Sequence, residues 1–237
     1  FADKNNLKHF CWILGQDARQ VNRYPRSLHL PAGELIALSD FLQDEFEKNH
    51  GTRPAFVIPP GIENSLFKTN IRKRDIALLA TGSLIPLKQF GIFVETVAAI
   101  KKQLPGIQAV LIGDGPEKLQ LEKLIGELDL QSNITLTGEL AYPEVLQWMQ
   151  RARIFLHPSS YEGFSGVCQE ALAAGAQVIS FCKPMKEDIR NWDIVSSKKE
   201  MKDRALSILQ TPAKKIGQTI SFGINDTVNK IMKLFEV

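Results

Sequence analysis

"ARIFLHPSSYEGFSGVCQEALAAGAQVISF", residues 152–181, decides the fold class. It opens on a short apolar run, ARIFLHPS (152–159), and closes on a second, AQVISF (176–181). Between them lies a stretch of small residues that starts near Ser165 or Gly166 and ends at Gly175, a glycine suited to a helix C-terminus. Strand, helix and strand in so short a span is the parallel βαβ unit. Val167, Ala171 and Ala174 share one face of the helix and allow close packing. Two carboxylates stand out, Glu162 just before the helix and Glu170 inside it.

The same punctuation recurs along the chain. ELIALS (34–39), AFVIPPG (55–61), IALLATGS (76–83), QAVLIGDG (108–115) and NITLTG (133–138) are short aliphatic runs closed by Gly, Pro or Ser. Buried parallel strands read this way. Helical patterns separate the later ones: KQFGIFVETVAAIKKQL (88–104), PEKLQLEKLIGEL (116–128) with Pro116 in its first turn, YPEVLQWMQRA (142–152) and KEMKDRALSIL (199–209). The pattern predicts an α/β, doubly wound, Rossmann-like parallel sheet over residues 61–222. Residues 1–60 are less regular. LKHFCWILGQDARQVNRYPRSLHLPAG (7–33) shows no clean partner helix, and FVIPPGIENSLF (56–67) reads as a link. The first 60 residues are therefore expected to end a preceding domain, and a start at Phe1 rather than Met suggests a fragment. GINDTVNKIMKLFEV (223–237) is an amphipathic helix set apart by TPAKKIGQTIS (211–221) and free to dock away from its own sheet.

Composition narrows the function. The chain has 237 residues, 44% of them hydrophobic and 23% charged, as in ordinary soluble globular proteins. A net charge of +3, dispersed along the chain, argues against nucleic acid. The densest basic run, NIRKRDI (70–76), reads as a solvated linker, with a phosphate or membrane-surface role left open. Three cysteines make no disulfide framework, which points to a reducing cytosol. His9 and Cys11 lie close together, but nothing downstream completes a metal-ligand set. No run is long enough to span a membrane, and no signal peptide is visible.

Ligands of doubly wound sheets bind beyond the carboxyl ends of the strands, and three unusual loops fall there. In ATGSLIPLKQFG (80–91), Gly82 permits a sharp turn and Lys88 stands at a predicted helix start. A cation there costs roughly 0.3–1 kcal/mol against the helix dipole unless an anion binds; alone, Lys88 reads as a solvated lysine. In IGDGPE (112–117), Gly113 and Gly115 leave the backbone open to a ligand, although the third glycine of a dinucleotide fingerprint is replaced by Lys118. Alone, this is a strand-to-helix turn. The third loop presents the free amides of Ser165, Gly166 and Val167. Glu170 follows after a rise of ~6–7 Å, the reach from phosphate to ribose hydroxyls, and Glu162 faces the other end. Singly, each glutamate reads as a solvent-facing charge. Together the loops suit a sugar joined to a nucleotide by a diphosphate.

GSLIPLKQFG, AVLIGDGPE, NITLTGEL and HPSSYEGFSGVCQEALAAGAQVI resemble, in order and spacing, the donor-binding domain of retaining family-4 (group 1) glycosyltransferases of the GT-B fold. The likeness covers about residues 34–181, with the Glu-x7-Glu pair of Glu162 and Glu170 its most specific element. It implies that Lys88 holds the diphosphate and acts with Glu162 at the reacting centre, that Glu170 binds the ribose, and that Glu162 grips hydroxyls of the transferred sugar. The backbone at Gly163, Phe164, Ser165, Gly166 and Val167 would support the phosphates, with Gly82, Ser83 and Gly113 in the same donor site. Gly138, Glu139 and Leu140 would line the base.

The implied reaction is hexosyl transfer with retention, from a UDP- or GDP-linked sugar to a sugar, glycolipid or polysaccharide, without metal or cofactor. The implied setting is cytoplasmic, with peripheral contact at the inner face of a membrane through an N-terminal part. On this likeness, 1–60 is the remnant of a second Rossmann-like domain, on the acceptor side, plus link, 61–222 the donor-binding domain, and 223–237 a helix that docks on the rest of the acceptor side. WILGQDARQ (12–20) resembles the end of that acceptor domain and would bring Gln16 or Asp17 near the cleft.

The chain departs from the family at two places. Ser83 stands where an arginine is usual, and CKPMKEDIRNWDIVSS (182–197) replaces a glycine-rich stretch with a further acidic residue. Three other readings stay open: a glycoside hydrolase using Glu162 and Glu170, a nucleotide-sugar epimerase or phosphorylase, and a non-catalytic nucleotide-binding module.

Overall fold

A computed structural model describes residues 7–67, 74–211 and 217–236, which build two parallel sheets. The smaller sheet runs in the order β1 (Cys11–Ile13), β2 (Leu35–Ala37), β3 (Phe56–Val57). A short helix, α1 (Tyr24–Leu28), leads from β1 to β2, and α2 (Asp40–His50) leads from β2 to β3. α2 begins where the Ser39 hydroxyl accepts the Leu42 amide and ends where Gly51 turns to φ 81°. Its Leu42 and Phe46 bury against Ile13, Leu35 and Ala37.

The larger sheet holds β4 (Ile76–Thr81), β5 (Ala109–Ile112), β6 (Ile134–Leu136), β7 (Ala152–His157), β8 (Gln177–Ser180) and β9 (Trp192–Ile194). Their spatial order is β6-β5-β4-β7-β8-β9, and every neighbouring pair is parallel. Side chains alternate between faces along each strand, and both faces are covered. Leu78, Ala80, Leu111, Leu156 and Ile179 pack under α3 (Phe90–Lys101), α4 (Lys118–Glu127) and α7 (Lys198–Gln210). Leu79, Val110, Ile112, Phe155 and Val178 pack under α5 (Tyr142–Arg151) and α6 (Gly166–Ala173). This is the doubly wound α/β sheet expected from the sequence. The chain winds outward in one direction from β4 and in the other from β7, so the topological switch point lies between these two neighbours.

The last helix, α8 (Ile224–Phe235), docks on the link between the sheets. The Ile224 amide donates to Ile62 O (3.0 Å), and the Thr227 hydroxyl to Pro59 O (3.0 Å). Phe235 lies edge-on to Phe10 at 5.0 Å.

Several local expectations are corrected. Residues 7–33 contain β1 and α1, and 40–50 form a full helix that the apolar runs did not announce. Lys88 ends a 3-10 turn (Pro86–Lys88) ahead of α3 rather than opening that helix, and Pro116 lies outside α4. The 182–197 segment supplies β9. Of the basic run, residues 70–73 lie outside the described residues. Arg74 is not a solvated linker residue, because its guanidinium donates to the carbonyls of Ala152 and Ala174. No helix among the described residues is long and apolar enough to cross a membrane.

Candidate active site

The strand-end loops are laced together by their own backbones. The Gly82 amide donates to Ile112 O (3.0 Å), Gly113 to Gly138 O (2.9 Å), and Leu84 to Asp114 O (2.8 Å). A Cβ at Gly113 would fall 2.0 Å from Gly82 O. The room at Gly113 that the sequence offered to a ligand is therefore filled by the neighbouring loop. The loop after β7 is strapped down in the same way. The Leu87 carbonyl accepts the Ser160 amide (2.9 Å) and the hydroxyls of Ser159 (3.3 Å) and Ser160 (3.2 Å). That strap sets Lys88 beside Glu162.

At the switch point Glu162 Oε1 accepts from Lys88 Nζ and lies 3.0 Å from His157 Nε2. All three side chains are withdrawn from water, to 20% exposure for Lys88, 17% for Glu162 and 1% for His157. Ser165 Oγ sits 3.3 Å from the same histidine nitrogen. His157 Nδ1 is buried with no partner among the described residues. An ionised Glu162 can only accept, so His157 donates to it from Nε2. Burial by itself raises the Glu162 pKa, but hydrogen bonds from His157 and Lys88 and the nearby positive charge outweigh it and bring the value to about 2.

A depressed carboxylate contributes stability that is complete above its unfolded pKa and lost as pH falls through the folded one. The stability difference between the native chain and Glu162→Gln is therefore expected to be constant above pH 4.5 and to shrink towards about pH 2. Urea unfolding across that range checks this; a difference that stays flat contradicts the pairing.

Glu170 has a separate partner, the Tyr142 hydroxyl, which donates to its Oε1 (3.0 Å). Burial pushes Glu170 above the usual carboxylate range, and burial together with Glu170 pushes Tyr142 up to about 12. α6 starts at Gly166 after an extended Ser165 with no side-chain cap; the Cys168 amide donates to Ser165 O (3.2 Å), and the amides of Gly166 and Val167 have no acceptor within the helix. Phe164 is half-buried and turns its ring edge-on to Trp192 (6.5 Å) and Phe222 (6.0 Å). Gly163 is buried, and its carbonyl accepts from Ser39 Oγ (2.6 Å). Ser83 and Glu139 are exposed, while Leu140 leans on the core beneath α5 and α6.

Asp17 turns back to accept the Leu14 amide (2.9 Å), and the Gln16 carbonyl accepts from Asn22 (3.2 Å). Two residues of this turn reach the Glu162 loop: the Gly15 carbonyl accepts from Tyr161 (2.9 Å), and the Arg19 guanidinium lies 4.4 Å above the Tyr161 ring. His9 pairs with Glu34 (3.2 Å). Among the described residues no group of three His, Cys, Asp or Glu could hold a metal.

Sequence reasoning missed the parts played by His157, Tyr142 and Ser39. Two signals were available: for His157, a histidine ending a mostly apolar buried strand, and for Ser39, a serine in a helix-capping position.

Residues 61–212 match the family model for glycosyl transferases group 1. The gpi3 subunit of phosphatidylinositol N-acetylglucosaminyltransferase from Schizosaccharomyces pombe is 29% identical over 127 residues, 52% of this chain and 28% of that protein. Alpha-monoglucosyldiacylglycerol synthase from Acholeplasma laidlawii is 28% identical over 149 residues, 61% of this chain and 37% of that protein. The chain thus spans well under half the length of these curated relatives. Among solved structures, a TarM variant from S. aureus superposes with TM-score 0.75 at 17% identity, covering 86% of this chain and 44% of that one. Anabaena HepE superposes with TM-score 0.69 at 19% identity, covering 85% and 62%. Identities so low speak for the fold alone. The family model matches well over half of the residues, and on that ground the chain belongs to the glycosyl transferases of group 1.

Proposed function

We propose that this chain carries the nucleotide-sugar site of a glycosyltransferase that moves a hexosyl group, with retention, from a UDP- or GDP-linked donor. The observation that carries the reading is the buried Lys88–Glu162–His157 cluster at the switch point, beside the open N-terminus of α6. In the free protein Lys88 is neutralised by Glu162. An arriving diphosphate takes the lysine, with the α6 amides sharing its charge in place of an arginine at position 83. Glu162 is then released towards the sugar hydroxyls while His157 still holds its Oε1. As the glycosidic bond breaks, negative charge grows on the leaving diphosphate, where Lys88 and the helix dipole are already aimed.

Glu170 accepts from the ribose hydroxyls, and the Gly138–Leu140 loop lines the base. Solved structures of TarM, pneumococcal GtfA and HepE hold UDP, which favours uracil here. The acceptor is a sugar, glycolipid or polysaccharide, and the setting is cytoplasmic. No step in this scheme calls on a metal or cofactor. A hydrolase reading fits less well. It would take Glu170, raised by burial, as the acid and the ionised Glu162 as its partner, but it leaves Lys88 and the open amides of α6 without a role.

The two glutamates test the scheme separately. Glu170→Ala is expected to weaken the nucleoside diphosphate and the nucleotide sugar alike, by about tenfold for the lost ribose contacts. Glu162→Ala is expected to weaken the nucleotide sugar and spare the diphosphate. Calorimetric titration of both variants checks this, and equal losses in the two would contradict the division.

A further inference from the structure

The chain alternates at the tip of the β7 loop. Tyr161 and Gly163 face the smaller sheet's unit, and Glu162 between them faces Lys88 and His157. Tyr161 is held on three sides: its hydroxyl donates to Gly15 O (2.9 Å), the Arg19 guanidinium lies 4.4 Å above its ring, and Phe41 meets it edge-on at 5.5 Å. Gly163 is held by contact alone on one side, since a Cβ there would fall 2.8 Å from Leu42 Cδ1 and 2.9 Å from Gly15 Cα. Its carbonyl is gripped by Ser39 Oγ (2.6 Å). Ser39 is fully buried and uses the same oxygen to accept the Leu42 amide (3.0 Å) and start α2. The 182–197 segment, unusual in sequence, joins this contact: Pro184 O accepts the Phe41 amide (3.1 Å), and the Lys186 amide donates to Asp40 (2.8 Å).

We propose that Ser39 is a positioning residue for Glu162. One hydroxyl ties the start of α2 to the carbonyl of the residue after Glu162, so the unit around the smaller sheet sets where that carboxylate stands. The consequence for ligands rests on the donor-site reading given above: Ser39 then governs the hold on the sugar and not the hold on the diphosphate.

The first test needs no nucleotide. In Ser39→Ala, the NMR titration midpoint of the Glu162 carboxyl is expected to rise by about one pH unit as its partners loosen. Amides of 161–164 should exchange about tenfold faster. Ser197→Ala serves as the control, because Ser197 caps α7 in the same manner without touching this loop. It should move neither signal, and Ser39→Thr should restore both. A Glu162 midpoint that does not move in Ser39→Ala overturns the proposal.

If Ser39→Ala fails to fold, Tyr161→Phe removes the other tether and keeps the ring packed. It should raise the same midpoint by a smaller amount, and no rise would overturn the proposal in that case. Titration with UDP, GDP and ADP and the matching nucleotide sugars separates the two readings. A folded native chain that binds none of them defeats the donor-site reading, while the carboxyl titration still decides Ser39. Where binding occurs, Ser39→Ala should lose affinity for the nucleotide sugar by about tenfold more than for the diphosphate. Equal losses contradict the proposal.

Discussion

Lys88→Ala is expected to weaken binding of the nucleoside diphosphate by about 2–3 kcal/mol, roughly 30- to 150-fold. The direct loss is a charge-assisted hydrogen bond to phosphate in a crevice only 20% open at the lysine. A second effect adds to it. Without the lysine, Glu162 keeps its negative charge close to where the diphosphate must sit, so a neutralising partner becomes a repulsive neighbour. The double variant Lys88→Ala/Glu162→Gln should therefore bind diphosphate better than Lys88→Ala alone, a coupling that a double-mutant cycle reads directly. Calorimetry on the four chains checks it. A Lys88→Ala chain that binds like the native one would remove Lys88 from the site.

Gly113→Ala is expected to be the most damaging small substitution in the sheet, destabilising by about 3–5 kcal/mol. Gly113 holds φ at 142°, where an L side chain is strained, and the added methyl would sit 2.0 Å from Gly82 O. Relief requires parting the loops after β4 and β5, which breaks the Gly82–Ile112 hydrogen bond and shifts the Lys88 turn that follows. Gly106→Ala is the comparison, because its Cβ would meet nothing within 4 Å. It should change stability by no more than about 0.5 kcal/mol. Urea unfolding of both variants measures the contrast, and similar values would mean that the loops yield easily.

The centre of the larger sheet was legible because its strands are buried on both faces. IALLAT, AVLI and ARIFLH carry no exposed polar alternation, so they stand out as apolar runs. β1 and β9 were not legible for the opposite reason. CWI and WDI are three residues each, with only one buried side chain apiece. α2 left its marks in the sequence, Ser39 before it and Gly51 after it, but its charged surface hid the few apolar positions.

Within the site, Lys88, Glu162, Glu170 and the α6 N-terminus could be picked out by residue type and place in a loop. The Lys88–Glu162 pair could not. It joins residues 74 apart through a strap on the Leu87 carbonyl, a register that only the folded loops define. Gly113 was recognised as a turn glycine, yet what crowds it is a carbonyl from a different strand end.

On the proposed reading, the crevice between β4 and β7 takes a nucleoside diphosphate in exchange for the Lys88–Glu162 pair. Calorimetric titration of the native chain with UDP, GDP and ADP decides whether it does. Saturable binding of one of the three, favouring a single base, is the predicted result. A folded chain that gives no heat of binding with any of them would mean that the crevice is not a nucleotide site.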